Sequence, residues 1–150
     1  MRCLALDVGD RRIGVASGEH LASPLLTFTR GSRDDDLQVV AGLIREHQAQ
    51  CLVVGLPLNM DGSVGFQAQR VKRYVEHMGS GLAALGIAID LVLWDERLTT
   101  GEAERVMAIA RQRRYRRRDQ VDAVAAAVIL QSYLDERARQ NRPETEGIGL

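Results

Sequence analysis

The chain has 150 residues, enough for one domain with a full hydrophobic core. Apolar residues make up 45% and charged residues 27%, which is typical of a globular protein and excludes a disordered or membrane-embedded chain. The formal net charge is zero, so overall charge gives no indication of a nucleic-acid partner.

Hydrophobic periodicity predicts an α/β fold. Residues 3–8 and 13–17 flank a short turn and predict an antiparallel hairpin, with a third strand over 25–29. The remaining predicted elements are a helix over 33–48 capped by Ser32, a strand over 51–55, a helix over 64–78 that frays through 79–81, a strand over 87–94, and helices over 99–110 and 121–134. This order predicts a mixed five-stranded sheet, a three-strand antiparallel meander plus parallel strands, with helices on both faces.

Composition along the chain also predicts its domain organisation and location. Residues 1–137 are expected to form a single domain, and 138–150, which mix Pro, Gly and charge, a disordered tail. Cys3 and Cys51 lie in apolar runs and are expected to be reduced. With a first strand unlike a signal peptide and no run of the about 20 apolar residues that a membrane helix needs, we expect a cytoplasmic protein with no membrane partner.

Asp7 is the most unusual residue of the first strand. Alternation places it on one face with Cys3 and Ala5, where an apolar residue is expected. An ionised carboxylate there is costly unless it is hydrogen-bonded, paired or bound to a metal. Gly9 and Gly14 nearby allow a phosphate or another backbone to come close.

Three more carboxylates follow, Glu96 just past the fifth strand and Asp119 and Asp122 at the start of the last helix. Ligands of parallel sheets collect beyond the carboxyl ends of the strands, so Asp7 and Glu96 are expected to meet. Carboxylates from separate elements suit Mg²⁺ or Mn²⁺. Structural roles stay open, with Asp119 as a helix cap, Asp122 interacting with the helix dipole and Glu96 as a loop residue.

Four motifs stand out in order along the chain. They are LALDVGDRRIGVA from Leu4, VVGLPLNMDGS from Val53, DERLTT over 95–100 and VDAVAAAVILQSYL from Val121. Together they resemble the YqgF/RuvX family. The resemblance covers residues 3–134 and implies a ribonuclease H-like fold, kinship with RuvC-type Holliday junction resolvases, and a metal-dependent nuclease. Family members are commonly assigned to maturation of the 5′ end of pre-16S ribosomal RNA.

The resemblance also implies which residues act. Asp7, Glu96 and Asp122 match the catalytic, metal-binding carboxylates, and Asp119 is the candidate fourth. Many relatives carry a basic or polar residue near position 119, whereas RuvC-type enzymes carry an aspartate three residues before the last one. An aspartate at position 119 therefore favours the resolvase activity.

Arginines are the predicted contacts to substrate phosphates. Lys72 is the only lysine, and six arginines lie within 111–118. The expected substrate-binding residues are Arg11, Arg12, Asn59, Arg97, Arg113 and Arg114. Ordinary loop and solvent-exposed roles are the alternative for these residues.

The sequence thus predicts an endonuclease that uses Mg²⁺ or Mn²⁺ on structured nucleic acid, foremost at the 5′ end of pre-16S rRNA. A Holliday junction resolvase is the first alternative, and symmetric cutting of four-way DNA junctions would favour a homodimer. A non-catalytic ribosomal RNA-binding factor is a second. The Asp-x-Gly opening also resembles actin–hexokinase ATPases and sugar kinases, but the chain lacks the length and the repeat of those proteins.

Overall fold

The computed structural model describes residues 1–98 and 118–141, with only the backbone at 118–120, and the isolated positions 105 and 108. The elements are β1 (Cys3–Val8), β2 (Arg12–Gly18), β3 (Ser23–Thr29), α1 (Arg33–His47), β4 (Cys51–Leu56), α2 (Phe66–Ala84), β5 (Asp90–Asp95) and α3 (Arg118–Gln140). The predicted helix over 99–110 lies almost wholly outside the described residues.

The strands form one sheet in the order β3-β2-β1-β4-β5. β1 and β3 both pair antiparallel with β2, whereas β4 pairs parallel with β1 and with β5. Short turns suffice for the antiparallel strands, and α1 and α2 provide the long crossovers that parallel strands need. The predicted mixed sheet is confirmed.

The alternation in β1 divides the core into two halves. Leu4, Leu6 and Val8 lie in the half that α1 and α2 cover, whereas Cys3 and Ala5 lie in the half that α3 covers. The α3 half is rich in small side chains, which include Ala5, Ala16, Ala22, Ala126 and Ala127. Small residues on both surfaces let α3 pack closely on the sheet, on the same face as Asp7.

α2 is longer than predicted, because it passes through Gly79 and Gly81 without fraying and ends at Ala84. A Cβ on Gly81 would lie 2.6 Å from Cδ2 of Leu37 in α1. This glycine therefore lets the two helices pack closely, and the buried Leu82 beside it anchors the last turn. Such packing offsets the intrinsic cost of glycine in a helix, about 1 kcal/mol.

α3 extends beyond the predicted 121–134 at both ends. Intrahelical pairs support its C-terminal turns, since Gln131 Nε2 donates to Asp135 Oδ1 at 2.9 Å and Arg139 Nη2 lies 2.7 Å from Glu136 Oε2. Residues 142–150 lie outside the described residues, so the disordered tail stays a prediction. Within the described part of the chain, no helix has the length and apolar character needed to cross a membrane.

Candidate active site

Asp7 lies near the carboxyl end of β1, opposite Gly14 of β2, with its side chain on the α3 face. The carboxyl group is only partly exposed. Its burial, and then the nearby charge of Asp122, raise the pKa of Asp7 to about 6. Such a shift in a carboxylate is characteristic of functional sites.

Glu96 reaches the same region from the end of β5. Its backbone N–H donates to the Leu56 carbonyl at 3.2 Å, which extends the β4–β5 pairing by one residue. Its side chain lies over Gly55, and a Cβ added to Gly55 would be 2.6 Å from Oε1 of Glu96. Burial, followed by the charges of Asp7 and Asp95, raises the pKa of Glu96 to about 7.

Asp122 comes from the N-terminal part of α3. Its backbone carbonyl oxygen would lie 1.9 Å from a Cβ on Gly14, so only glycine allows α3 to approach β2 this closely. Its Oδ2 lies 3.2 Å from Nε of Arg12. That oxygen is shielded from solvent and has no aligned hydrogen-bond donor among the described residues. The pairing with Arg12 is therefore a charge contact without hydrogen-bond geometry.

The fold thus brings together three of the four predicted carboxylates, since Asp7 interacts electrostatically with both Asp122 and Glu96. The side chain of Asp119 lies outside the described residues. Within the described ranges, no three acidic, histidine or cysteine side chains stand close enough to hold a metal ion as they are placed. The donor chemistry still suits a hard divalent cation, because the groups are carboxylates and Asp122 Oδ2 is buried without a hydrogen bond.

The predicted phosphate contacts differ in their surroundings. Arg11 is exposed at the β1–β2 turn, and Arg12 pairs with Asp122. Arg97 is engaged by Asp95, with Nη2 2.8 Å from Oδ2, and donates from Nη1 to the Met60 carbonyl at 3.1 Å. Arg97 holds the pKa of Asp95 below its usual value. In the structure Arg97 therefore fastens the loop after β4 to the end of β5.

The remaining predicted substrate contacts are Asn59, Arg113 and Arg114. Asn59 donates from Nδ2 to Ser63 Oγ at 2.9 Å and thereby closes its own loop. Arg113 and Arg114 lie outside the described residues. Sequence reasoning missed the part that Gly55 plays in making room for Glu96. A glycine inside an otherwise apolar strand was the available signal.

Sequence comparisons identify the family. The family model for RuvX, described as Holliday junction resolvase, matches residues 1–136. The chain belongs to the RuvX family. A relative from Thermoanaerobacter pseudethanolicus is 42% identical over 91% of this chain and 98% of its own length. Another from a Roseiflexus species is 45% identical over 91% of this chain and 95% of its own. Both relatives are named as candidate nucleases for pre-16S rRNA.

The fold of this RuvX chain is that of RuvC-type enzymes. The structure of Thermus thermophilus RuvC in complex with a Holliday junction substrate aligns with a TM-score of 0.61, covering 92% of this chain and 96% of that one. Sequence identity is only 13%, so the likeness concerns the fold. The predicted ribonuclease H-like architecture is confirmed.

Acidification is expected to stabilise the metal-free protein. The folded-state pKa values of Asp7 and Glu96, about 6 and about 7, lie above the ordinary 3.8 and 4.5. Folding therefore favours their protonated forms, and this stabilisation, complete below the ordinary values, is lost as pH rises through about 6 to 7. We expect the free energy of unfolding in urea with a chelator to be about 2 kcal/mol higher near pH 5 than near pH 8.

A matched variant tests the origin of that pH dependence. Glu96→Gln should remove the part of the change that extends up to about pH 7 and leave the part that belongs to Asp7. An unfolding free energy that stays level or rises between about pH 5 and pH 8 in the wild-type protein would contradict the raised pKa values.

Proposed function

We propose that this RuvX protein is an endonuclease that uses Mg²⁺ or Mn²⁺ to hydrolyse phosphodiesters in structured nucleic acid, foremost at the 5′ end of pre-16S rRNA. The observation that carries the proposal is the convergence of Asp7, Glu96 and Asp122 from β1, the end of β5 and α3. Clustered carboxylates are unfavourable without a cation, which points to a cation as their partner.

The cation would supply an activated water and neutralise charge on the phosphate. Asp7 interacts with both of the other carboxylates and would anchor the cation, while Glu96 and Asp122 would complete the ligand set, with Asp119 as the candidate fourth. Arg12 and the cation would compete for Asp122, because the guanidinium already lies 3.2 Å from Oδ2. Once released from Asp122, Arg12 would contact a substrate phosphate at the same end of the sheet. The exposed Arg11 would do so too.

Two observations bear on the substrate. The names of the curated relatives favour pre-16S rRNA. The aspartate at position 119, three residues before Asp122, favours the alternative of a Holliday junction resolvase, and the family description agrees with it. A non-catalytic ribosomal RNA-binding factor is the remoter alternative. The homodimer and the cytoplasmic location stay predictions.

The experiment that separates these functions compares two substrates under the same conditions. Purified protein with Mn²⁺ or Mg²⁺ is incubated with a precursor 16S 5′ leader and with a four-way DNA junction. We expect cleavage of the leader at discrete sites and much slower cleavage of the junction. Faster, symmetric cutting of the junction would support the resolvase instead. Binding without cleavage of either substrate under both metals would contradict the nuclease proposal.

A further inference from the structure

A cleft of about 580 Å³ lies behind the carboxylates, between the β1–β2 turn, the start of α1 and the first half of α2. Its charged and aromatic lining consists of Asp10, Arg30, Arg33, Arg70, Arg73 and Tyr74. Small-molecule pockets are enclosed and mostly apolar, whereas this cleft is open and arginine-rich. These walls suit an anionic polymer segment.

The positive charge of the cleft is only partly compensated, and Arg30 is one of the paired arginines, with Nε 4.0 Å from Asp36 Oδ2. In the described part of the chain, Asp10 is the one acidic residue that lines the cleft, and its Oδ1 lies 3.6 Å from Nη1 of Arg70, with both side chains largely exposed. An exposed pair of that kind contributes little and yields readily to a phosphate. Among the described residues, Arg33 and Arg73 have no acidic partner within 4.0 Å. Two guanidinium groups are therefore available to an anion.

One wall of the cleft is held in place by buried groups. Arg30 donates from Nη1 to the Gly9 carbonyl at 2.9 Å, and its guanidinium carbon lies 4.7 Å from the centre of the Tyr74 ring. The Tyr74 hydroxyl donates to Asp36 Oδ2 at 3.0 Å, and Asp36 is 2% exposed. This network fixes the wall before any ligand arrives, which reduces the entropic cost of binding.

The cleft is close to Asp7 but on the other face of the sheet. Val8 and Gly9 line it, and they directly follow Asp7. Consecutive Cα atoms are about 3.8 Å apart, so the nearest wall begins within about 8 Å of the Asp7 Cα. The Val8 side chain belongs to the α1–α2 half of the core, opposite the α3 half. A strand bound at Asp7 reaches the cleft by crossing the β1–β2 turn.

We infer that this arginine cleft is a second phosphate-binding site, which holds the backbone of the nucleic acid a few nucleotides away from the phosphate at Asp7. The inference rests on the proposed nuclease function and extends it, because the cleft assigns substrate contacts to Arg33 and Arg73. It also explains how a protein with no net charge can bind a polyanion, since the positive charge is concentrated locally.

The test measures binding of a labelled precursor 16S leader RNA in a chelator, over a range of salt concentrations. The double variant Arg33→Gln/Arg73→Gln should bind about tenfold more weakly near 0.1 M salt, with the slope of log affinity against log salt reduced by about 1.4 to 1.8. Arg45→Gln is the matched control, because Arg45 is exposed in the last turn of the same helix as Arg33 and does not line the cleft. It should bind like the wild type.

A charge-preserving variant separates binding from folding. Arg33→Lys/Arg73→Lys should recover most of the salt slope, and thermal unfolding should be the same for all variants. With metal and RNA well below saturation, the glutamine variant should cleave about tenfold more slowly, because less RNA is bound at the same concentration.

The outcomes distinguish the cleft from the nuclease activity. If the wild type cleaves RNA and the glutamine variant has the wild-type affinity and salt slope, the cleft inference is wrong and the nuclease proposal stands. If nothing is cleaved but the glutamine variant still loses the expected affinity, the cleft stands and the nuclease proposal is wrong. A wild type that binds no nucleic acid would overturn the cleft as well.

Discussion

Replacing Asp7 with Asn is expected to lower the rate of metal-dependent cleavage by at least about 1000-fold. Asp7 is the carboxylate that interacts with both Glu96 and Asp122, so it is the anchor that the other two share. An amide has no negative charge to offer a hard cation. Loss of about 4 kcal/mol of transition-state stabilisation corresponds to that factor. The measurement is single-turnover cleavage of the RNA leader with Mn²⁺ and with Mg²⁺.

The same variant should fold more stably than the wild type at neutral pH. Burial, and then the repulsion from Asp122, raise the pKa of Asp7 to about 6, so its charge opposes folding above that pH. Removal of the charge should stabilise the fold by about 1–2 kcal/mol near pH 7.5. Higher stability with lost cleavage separates a functional carboxylate from a structural one, because a structural one would destabilise the fold when replaced.

Asp90→Asn is the control for the loss of one carboxylate. Asp90 is exposed at the amino end of β5, whereas Glu96 follows the carboxyl end of that strand. Its replacement should leave cleavage within about twofold of the wild type, because a surface change away from the site has little effect. Cleavage retained in Asp7→Asn would disprove the assignment of the metal site.

Replacing Gly14 with Ala is expected to destabilise the fold by about 3 kcal/mol or more. The new Cβ would lie 1.9 Å from the Asp122 carbonyl oxygen and 2.8 Å from the Ala123 nitrogen. Both are backbone atoms of α3, so no side chain can turn away to make room. α3 must shift off β2, which exposes its apolar face and moves Asp122 away from Asp7. The free energy of unfolding in urea and the rate of cleavage should therefore both fall.

Gly42→Ala is the matched control for Gly14→Ala. Gly42 lies inside α1, and a Cβ there meets no atom within 4 Å. Alanine should therefore raise the free energy of unfolding, by up to about 1 kcal/mol, through helix propensity alone. Equal stability of the Gly14→Ala variant and the wild type would show that α3 does not pack on β2 as closely as the structure has it.

Local pattern was sufficient for most of the secondary structure. The hairpin of β1 and β2, the buried β4 and the Ser32 cap of α1 were all predicted, because alternation and capping depend on neighbouring residues. Prediction failed where distant contacts override local propensity. Glycines at 79 and 81 predicted fraying, yet contact with Leu37 in α1 makes the second glycine an advantage. The strand predicted from residue 87 begins at Asp90.

The chemistry proposed for this protein was already indicated by its sequence. A carboxylate site was indicated by Asp7 in an apolar strand and by Glu96 and Asp122 at the ends of later elements. A buried charge needs a partner whatever the tertiary structure is. Alternation also assigned the faces of β1 correctly, because successive side chains of a strand point to opposite faces of the sheet.

The arrangement of these residues depends on tertiary contacts. The tertiary structure placed Arg12 against Asp122, α3 against Gly14 and Glu96 over Gly55, contacts between residues up to 110 positions apart in the chain. It also gathered the arginines at 30, 33, 70 and 73 around one cleft, although they are scattered through the sequence. Strand order and helix docking bring such residues together, and no local pattern encodes them, because they depend on which distant surfaces fit closely enough to exclude water.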